Sequence, residues 1–437
     1  MTKTDNTYNQ LIAQLQKNFL FQISLGSKEL FHSNLLAWLM EQENSKSEPE
    51  VFKIFLNQFL DIEVENLSSK SIHVHREWNK IDLTLEWHEG DKVNFVFIEN
   101  KLKSLPQGSQ LADYNNKITE IIRKKRKDKI DKTSRAKFLL TPLPVGNKLQ
   151  TEFTKLGWPN ITYEEEILKF LHSIKKIDFK NKDLHLLIDR YILFLECLTQ
   201  LLHKFNLGQG NLSEFKKRGY DFYNYDFIEE GENGEQIGLM RQIRNLRLHD
   251  LILKLAHQSI GELIREKLKS KSVEIVPSYG DLSCAGQVHI STNFTRSAGL
   301  TDVKFCIQKG FNLGLQIQGD TLKYLAEVNT KILSGRQKDL VERNIAFAFN
   351  LVKNELWFYE KLNGEVKLLN GKGRNTDIPE IDGTTTRFNS YGLNFIYLQK
   401  DLSEYHNKST DELAELVASE IFRVVGDIKK FQKQIPN

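Results

Sequence analysis

Two short stretches separated by a turn signal constrain the fold of this chain more than any other feature. Ile81 to Trp87 alternates apolar and polar side chains, and Val93 to Lys101 is a β-rich run, with Glu89-Gly90-Asp91-Lys92 between them. If Gly90 opens a two-residue type II′ loop, Glu89 pairs with Lys92 and counting outward sets Asp82 opposite Glu99. Their Cβ atoms would stand about 5 Å apart. Period-two alternation then puts Lys101 beside Glu99, and Leu83, Leu85, Val96 and Ile98 on the opposite, core-facing side.

Packing gives no reason for such a cluster, because two carboxylates held that close repel unless a cation neutralises them or one stays protonated. Oxygen ligands with open positions suit Mg²⁺ or Mn²⁺, which keep several waters and bind phosphate oxygens beside a few carboxylates. An amine next to the ion could orient the attacking water or stabilise charge on a phosphoryl group, so phosphodiester hydrolysis is the natural reaction. The competing reading is a surface hairpin whose Glu99 and Lys101 form an ordinary exposed pair.

With these residues in place, the region from about 20 to 200 resembles the PD-(D/E)xK nuclease superfamily. It resembles especially the superfamily's bacterial branch, with a preceding helix that reads like Glu29-Leu-Phe-His-Ser-Asn-Leu-Leu-Ala-Trp. The resemblance implies that Asp82 fills the acidic position of the first motif and that Glu99 and Lys101 fill the E-x-K pair. Ile81 stands where the family name has proline, a position that contributes no ligand atom. Glu29 matches an acidic residue that completes the metal site or orients water.

After the E-x-K strand, Gln110 and Tyr114 lie four apart and share one helix face. Their spacing is similar to the Q-x-x-x-Y motif of RecB-like nucleases, in which they support the site or touch the nucleic-acid backbone; Gln107 could join them. A polar helix face with Tyr114 half packed is the plain alternative. Ala136 to Pro144 reads as another strand ended by proline, and Ile161 to Leu168 as a short strand leading into a helix. The implied class is α/β: an αβββαβ core with a mixed sheet flanked by helices, followed by a second α+β domain.

At 437 residues the chain exceeds what one core usually serves. The long apolar helix near Leu184 to Leu202 and the linker-like stretch from Asn206 to Ser213 divide it into a nuclease domain at 1–205 and a C-terminal domain at 206–437. Basic residues number 61 against 57 acidic, so the formal charge of +4 gives no strong pull on a polyanion. Local charge must supply it. The densest run begins Arg123-Lys124-Lys125-Arg126 and continues to Lys132, read as extending the Gln110 helix along a phosphate backbone, or else as a solvated helix end. Cys197, Cys284 and Cys306 lie far apart, which excludes a thiolate zinc knuckle and a disulfide framework and fits a reducing cytoplasm. No apolar stretch reads as a signal peptide or membrane span.

In the second half, Lys216 to Phe227 interleaves bases and aromatics, a pattern for stacking unpaired bases or for a half-buried strand. Helical periodicity from Gly238 to Leu255 aligns Arg241, Arg244 and Arg247. Short strands follow between 272 and 398, mixed with a helix around 320 to 333, and Thr410 to Phe431 closes as an amphipathic helix capped by Thr410 or Ser409. Gly310, Gly314 and Gly319 form no phosphate loop, because no lysine and hydroxyl follow them.

These features point to a cytoplasmic Mg²⁺-dependent (or Mn²⁺-dependent) nuclease acting on DNA. Asp82 and Glu99 would bind metal, Lys101 handle the water, Glu29 assist, and Gln110 with Tyr114 support the site. The layout resembles restriction and antiphage defence proteins, in which a homodimer or a defence-system partner is expected. A silent nucleic-acid or protein binding module and an RNA-directed nuclease are the alternatives, and a binder has no reason to keep Asp82, Glu99 and Lys101 together.

Overall fold

The computed structural model describes residues 7–24, 28–63, 67–102, 108–124, 131–207, 212–223, 228–230, 236–276, 285–294, 299–329, 337–362, 365–369, 388–392, 394–403 and 408–436. Two compact units emerge: Met1–Ser213 with Asp226–Ile252, and Glu214–Tyr225 with Leu253–Asn437. Among the described residues no helix is long and apolar enough to cross a membrane.

The first unit opens with helices α1 (Tyr8–Lys17), α2 (Phe19–Ser24), α3 (Glu29–Met40) and α4 (Glu50–Leu60). Strands β1 (Ile72–Trp78), β2 (Ile81–Glu89) and β3 (Lys92–Asn100) follow, then α5 (Gly108–Lys124), β4 (Asp131–Thr141), α6 (Asn147–Lys155) and β5 (Asn160–Thr162). A single π-turn at Tyr163–Ile167 leads into α7 (Leu168–Ile174), and α8 (Asp183–Lys204) follows. The strands form one mixed sheet in chain order, antiparallel from β1 to β3 and parallel from β3 to β5. This is the expected α/β class and αβββαβ order.

Turn chemistry fixes the register. Gly90 takes φ +58° while Asp91 stays at negative φ, as a type II′ loop requires, and Glu89 pairs with Lys92. The β1–β2 hairpin turns on Asn79 and Lys80, both at positive φ. The ladder from Glu89↔Lys92 to Leu83↔Ile98, continued by one residue, sets Asp82 opposite Glu99.

The core departs from the one-sided expectation. Leu83, Leu85, Val96 and Ile98 are buried, but so are Phe95 and Phe97 on the Glu99 face. There, Leu111, Tyr114 and Ile118 of α5 pack with Leu139, Phe153 and Trp158. On the other face, Phe52 of α4 meets Trp87 edge-on at 6.0 Å. A central strand joined to a parallel neighbour is covered by helices on both faces, so alternation alone understates its burial.

Of the basic run, Arg123 and Lys124 belong to α5 and Lys132 pairs with Val93 inside β4, while residues 125–130 lie outside the described residues. Arg123 is exposed on α5. Lys125 and Arg126 lie outside the described residues, as do the side chain of Lys124, Gln107 and Cys284.

After α8 come α9 (Leu212–Lys217), β6 (Ile228–Glu230), β7 (Gln236–Gly238), α10 (Leu239–Asn245) and α11 (His249–Ser270). The single helix expected across Arg241, Arg244 and Arg247 is broken. Arg247 sits in the left-handed region at φ 57°, its N–H bonded to Arg244 O, while Leu248 N–H reaches Ile243 O at 3.1 Å. That is a Schellman stop, fastened by the buried Ile243 and Leu248, so the three arginines share no helix face. Within the aromatic run, Tyr220, Phe222 and Tyr223 are buried in a 3₁₀ turn and so are not free to stack on bases. Residues 224–227 lie outside the described set.

The second unit holds a seven-stranded sheet ordered β15-β16-β12-β11-β10-β9-β8. Its elements are β8 (Ile275–Val276), β9 (Val288–Phe294), β10 (Gly299–Gln308), β11 (Phe311–Gln318), β12 (Thr321–Val328), α12 (Gln337–Lys353), β13 (Tyr359–Leu362), β14 (Glu365–Leu368), β15 (Asn389–Ser390), β16 (Phe395–Asp401), α13 (Thr410–Gly426) and α14 (Ile428–Gln432). Where a helix was expected around 320 to 333, residues 321–328 form strand β12, paired on both sides, because Gly319 at φ 52° turns the chain straight back onto β11; residues 330–333 lie outside the described residues. Ser409 caps α13 with Glu412 in a capping box.

Gly314 in β11 allows a close approach: a Cβ there would stand 2.7 Å from the Val303 carbonyl oxygen and 3.2 Å from Leu325. Gly314→Ala is therefore expected to destabilise the unit by about 1–3 kcal/mol through overpacking, read as a lower urea midpoint.

Candidate metal centre

β2 and β3 bring Asp82, Glu99 and Lys101 to one end of the sheet, on the face covered by α5. Glu99 is only 1 % exposed, and its Oε1 meets Lys101 Nζ at 2.7 Å. Tyr114 donates its hydroxyl to the same oxygen at 3.2 Å, and Gln110 Nε2 donates to the Tyr114 hydroxyl at 2.7 Å. The i, i+4 pair thus acts in series: Gln110 orients Tyr114, and Tyr114 steadies Glu99. Asp82 Oδ2 accepts the Asn100 backbone N–H at 2.7 Å.

Burial and the crowding of acids together set the electrostatics of the site. Burial, then the neighbouring Glu99, pushes the Asp82 carboxyl up to about 7, against the pull of the Asn100 N–H and Lys101. Burial also raises Glu99, although Lys101 and Tyr114 oppose it. For Lys101, burial pulls the ammonium down but is outweighed by Glu99, then by Asp82 and Glu29, so it is held above its ordinary value. One ammonium does not satisfy this cluster of acids.

Glu29, the first residue of α3, lies near enough to raise both Asp82 and Lys101. The four acidic and basic candidates are therefore together, with Gln110 and Tyr114 behind them. Arg123, at the far end of α5, is exposed. Three further residues underlie the site without a role in the sequence reading: Asn100, Ser33 and Tyr163. Ser33 falls four residues after Glu29, a spacing that places both on one helix face; no local signal marks Tyr163.

The donor set fits a hard divalent cation. Glu99 Oε2 is buried and has no hydrogen-bond partner, an expensive state for a carboxylate oxygen unless a cation occupies it. Among the described residues no three His, Cys, Asp or Glu side chains form a ready-made cage. Asp82 and Glu99 would thus hold an ion whose other positions belong to water or substrate, the habit of Mg²⁺ rather than structural zinc.

A family model described as the PD-(D/E)XK nuclease superfamily matches residues 17–192. No curated protein and no solved structure matches the chain. The matched span contains the mixed sheet, the two carboxylates, the lysine and helix α3. Over this segment the chain is similar to the PD-(D/E)XK nuclease superfamily.

Proposed function

We propose that the chain is a divalent-metal-dependent nuclease that hydrolyses phosphodiester bonds in DNA, with the catalytic machinery in the first unit. The buried, unpartnered Glu99 Oε2 beside Asp82 and Lys101 carries this reading. Asp82 and Glu99 are the residues that would hold Mg²⁺ or Mn²⁺. Such an ion, when bound, polarises a phosphoryl oxygen and lowers the pKa of water. Lys101, tethered to Glu99 and lined by three acids, orients water at the site and offsets negative charge building on the phosphate. Tyr114 keeps Glu99 from rotating away, and Gln110 keeps Tyr114 turned toward it. Attack by water needs no 2′-hydroxyl, so DNA is a competent substrate.

The second unit, with a separate sheet of its own, is proposed to select the target or sense the trigger, in a restriction or antiphage role. Incubating the protein with plasmid, single-stranded DNA and RNA tests the proposal directly. Cleavage of DNA with Mg²⁺, abolished by EDTA, is the expected result. Cleavage of RNA alone would move the substrate to RNA. Metal-independent binding without cleavage of any substrate would replace the enzyme with a binding module.

A further inference from the structure

The middle residue of the E-x-K motif points to the opposite sheet face from its neighbours, and it is Asn100, 2 % exposed. Its backbone N–H holds Asp82. Its side-chain Nδ2 donates to the Glu29 carbonyl oxygen at 3.1 Å and to Ser33 Oγ at 3.0 Å, while its Oδ1 accepts from the Tyr163 hydroxyl at 3.0 Å. Ser33 Oγ in turn donates to the Glu29 carbonyl oxygen at 3.1 Å. The amide orientation is dictated, because a carbonyl oxygen can only accept and must therefore face Nδ2.

Helix α3 lacks the usual device for fixing its first turn: Lys28 occupies the N-cap position and makes no side-chain cap bond. The helix start is instead pinned from the sheet, through Asn100. A carboxylate there would set acceptor against acceptor at Glu29, and a shorter side chain would not reach.

We propose that Asn100 is a positioning residue that assembles the metal centre from two elements, holding Asp82 through its backbone and setting Glu29 toward the Asp82–Glu99 pair through its side chain. The proposal rests on the nuclease reading for its purpose and on the hydrogen-bond set above for its substance. Glu29 then acts on the Asp82–Glu99 pair through its charge rather than as a third ligand, and Asn100 acts through it.

Calorimetric titration of the full chain with Mn²⁺, alongside DNA nicking rates, tests this on wild type, Asn100→Ala, Glu29→Gln and the double variant. Each single change is expected to weaken Mn²⁺ binding about 10-fold, the usual scale for outer-shell partners, and the double variant to bind no more weakly than Asn100→Ala. A merely structural role would lower the unfolding midpoint and make the two losses multiply. Should Asn100→Ala fail to fold, Ser33→Ala is expected to weaken binding several-fold in the wild-type background and to have no effect in Glu29→Gln. Multiplying losses, or unaltered Mn²⁺ binding in Asn100→Ala, overturns the proposal. If wild type binds Mn²⁺ and shows the non-additive pattern but cuts nothing, positioning stands and the nuclease reading falls; cleavage with additive losses reverses that outcome. A wild type that binds no Mn²⁺ overturns both.

Discussion

Lys101→Ala is expected to reduce DNA cleavage by at least about 10²-fold while leaving the protein folded. The ammonium sits 2.7 Å from Glu99 Oε1, with 15 % of the side chain exposed. Removing it takes away the ammonium paired with Glu99, leaving that carboxylate with the Tyr114 hydroxyl and the Asp82 backbone N–H. A stranded buried charge would cost about 3–5 kcal/mol, but protonating Glu99 avoids that cost, so the metal-free variant survives with a neutral carboxyl. The cleavage defect should therefore exceed anything explained by lost stability. Lys101→Arg should not restore the rate, because a planar fork does not reproduce a compact ammonium at a site this enclosed. Single-turnover rates on plasmid, with the urea midpoint measured in parallel, check the expectation. A Lys101→Ala rate within a few-fold of wild type would remove lysine from the mechanism.

Asp82→Asn should move activity and stability in opposite directions. An acid whose folded pKa is raised binds more protons folded than unfolded, so metal-free stability is greatest at low pH and falls as pH rises from 3.8 to about 7. A rise of that size corresponds to at most about 4 kcal/mol, lost above the window. Asparagine carries no charge to strand. Metal-free Asp82→Asn should therefore outlast wild type at pH 8, match it near pH 4, and cleave nothing. Mg²⁺ should raise wild-type stability at pH 8 by about 2.7 kcal/mol at 100 times its Kd and leave the variant unmoved. Thermal melts at the two pH values, with Mg²⁺ or EDTA, supply the readout. Equal stabilities at pH 8 without metal would mean that Asp82 bears no strain.

What sequence could announce was local and periodic. The Gly90 turn fixed the register that sets Asp82 opposite Glu99, and Gln110 with Tyr114 needed only helical spacing to be placed on one face. Strand β1 was harder to see, because His73, His75, Arg76 and Glu77 dilute its apolar pattern, and it gains order from its ladder with β2. Strand β12 reads as a helix in isolation, since Leu322, Lys323, Leu325, Ala326 and Glu327 are all tolerated there; pairing with β11 and β16 overrides that preference. At Arg247 the helix pattern continues through the break, because the stop depends on a left-handed residue that no glycine signals. The Asn100 links to Glu29 and Tyr163 join residues 71 and 63 positions apart, so no window of sequence contains them.

Diffraction from crystals grown with Mn²⁺, collected where manganese scatters anomalously, tests the central claim most directly. An anomalous peak in contact with the Asp82 and Glu99 carboxylates is expected, and its absence in Asp82→Asn. Glu99 Oε2 pressed against protein with no peak beside it, in crystals soaked to saturation, would mean that Asp82 and Glu99 hold no cation.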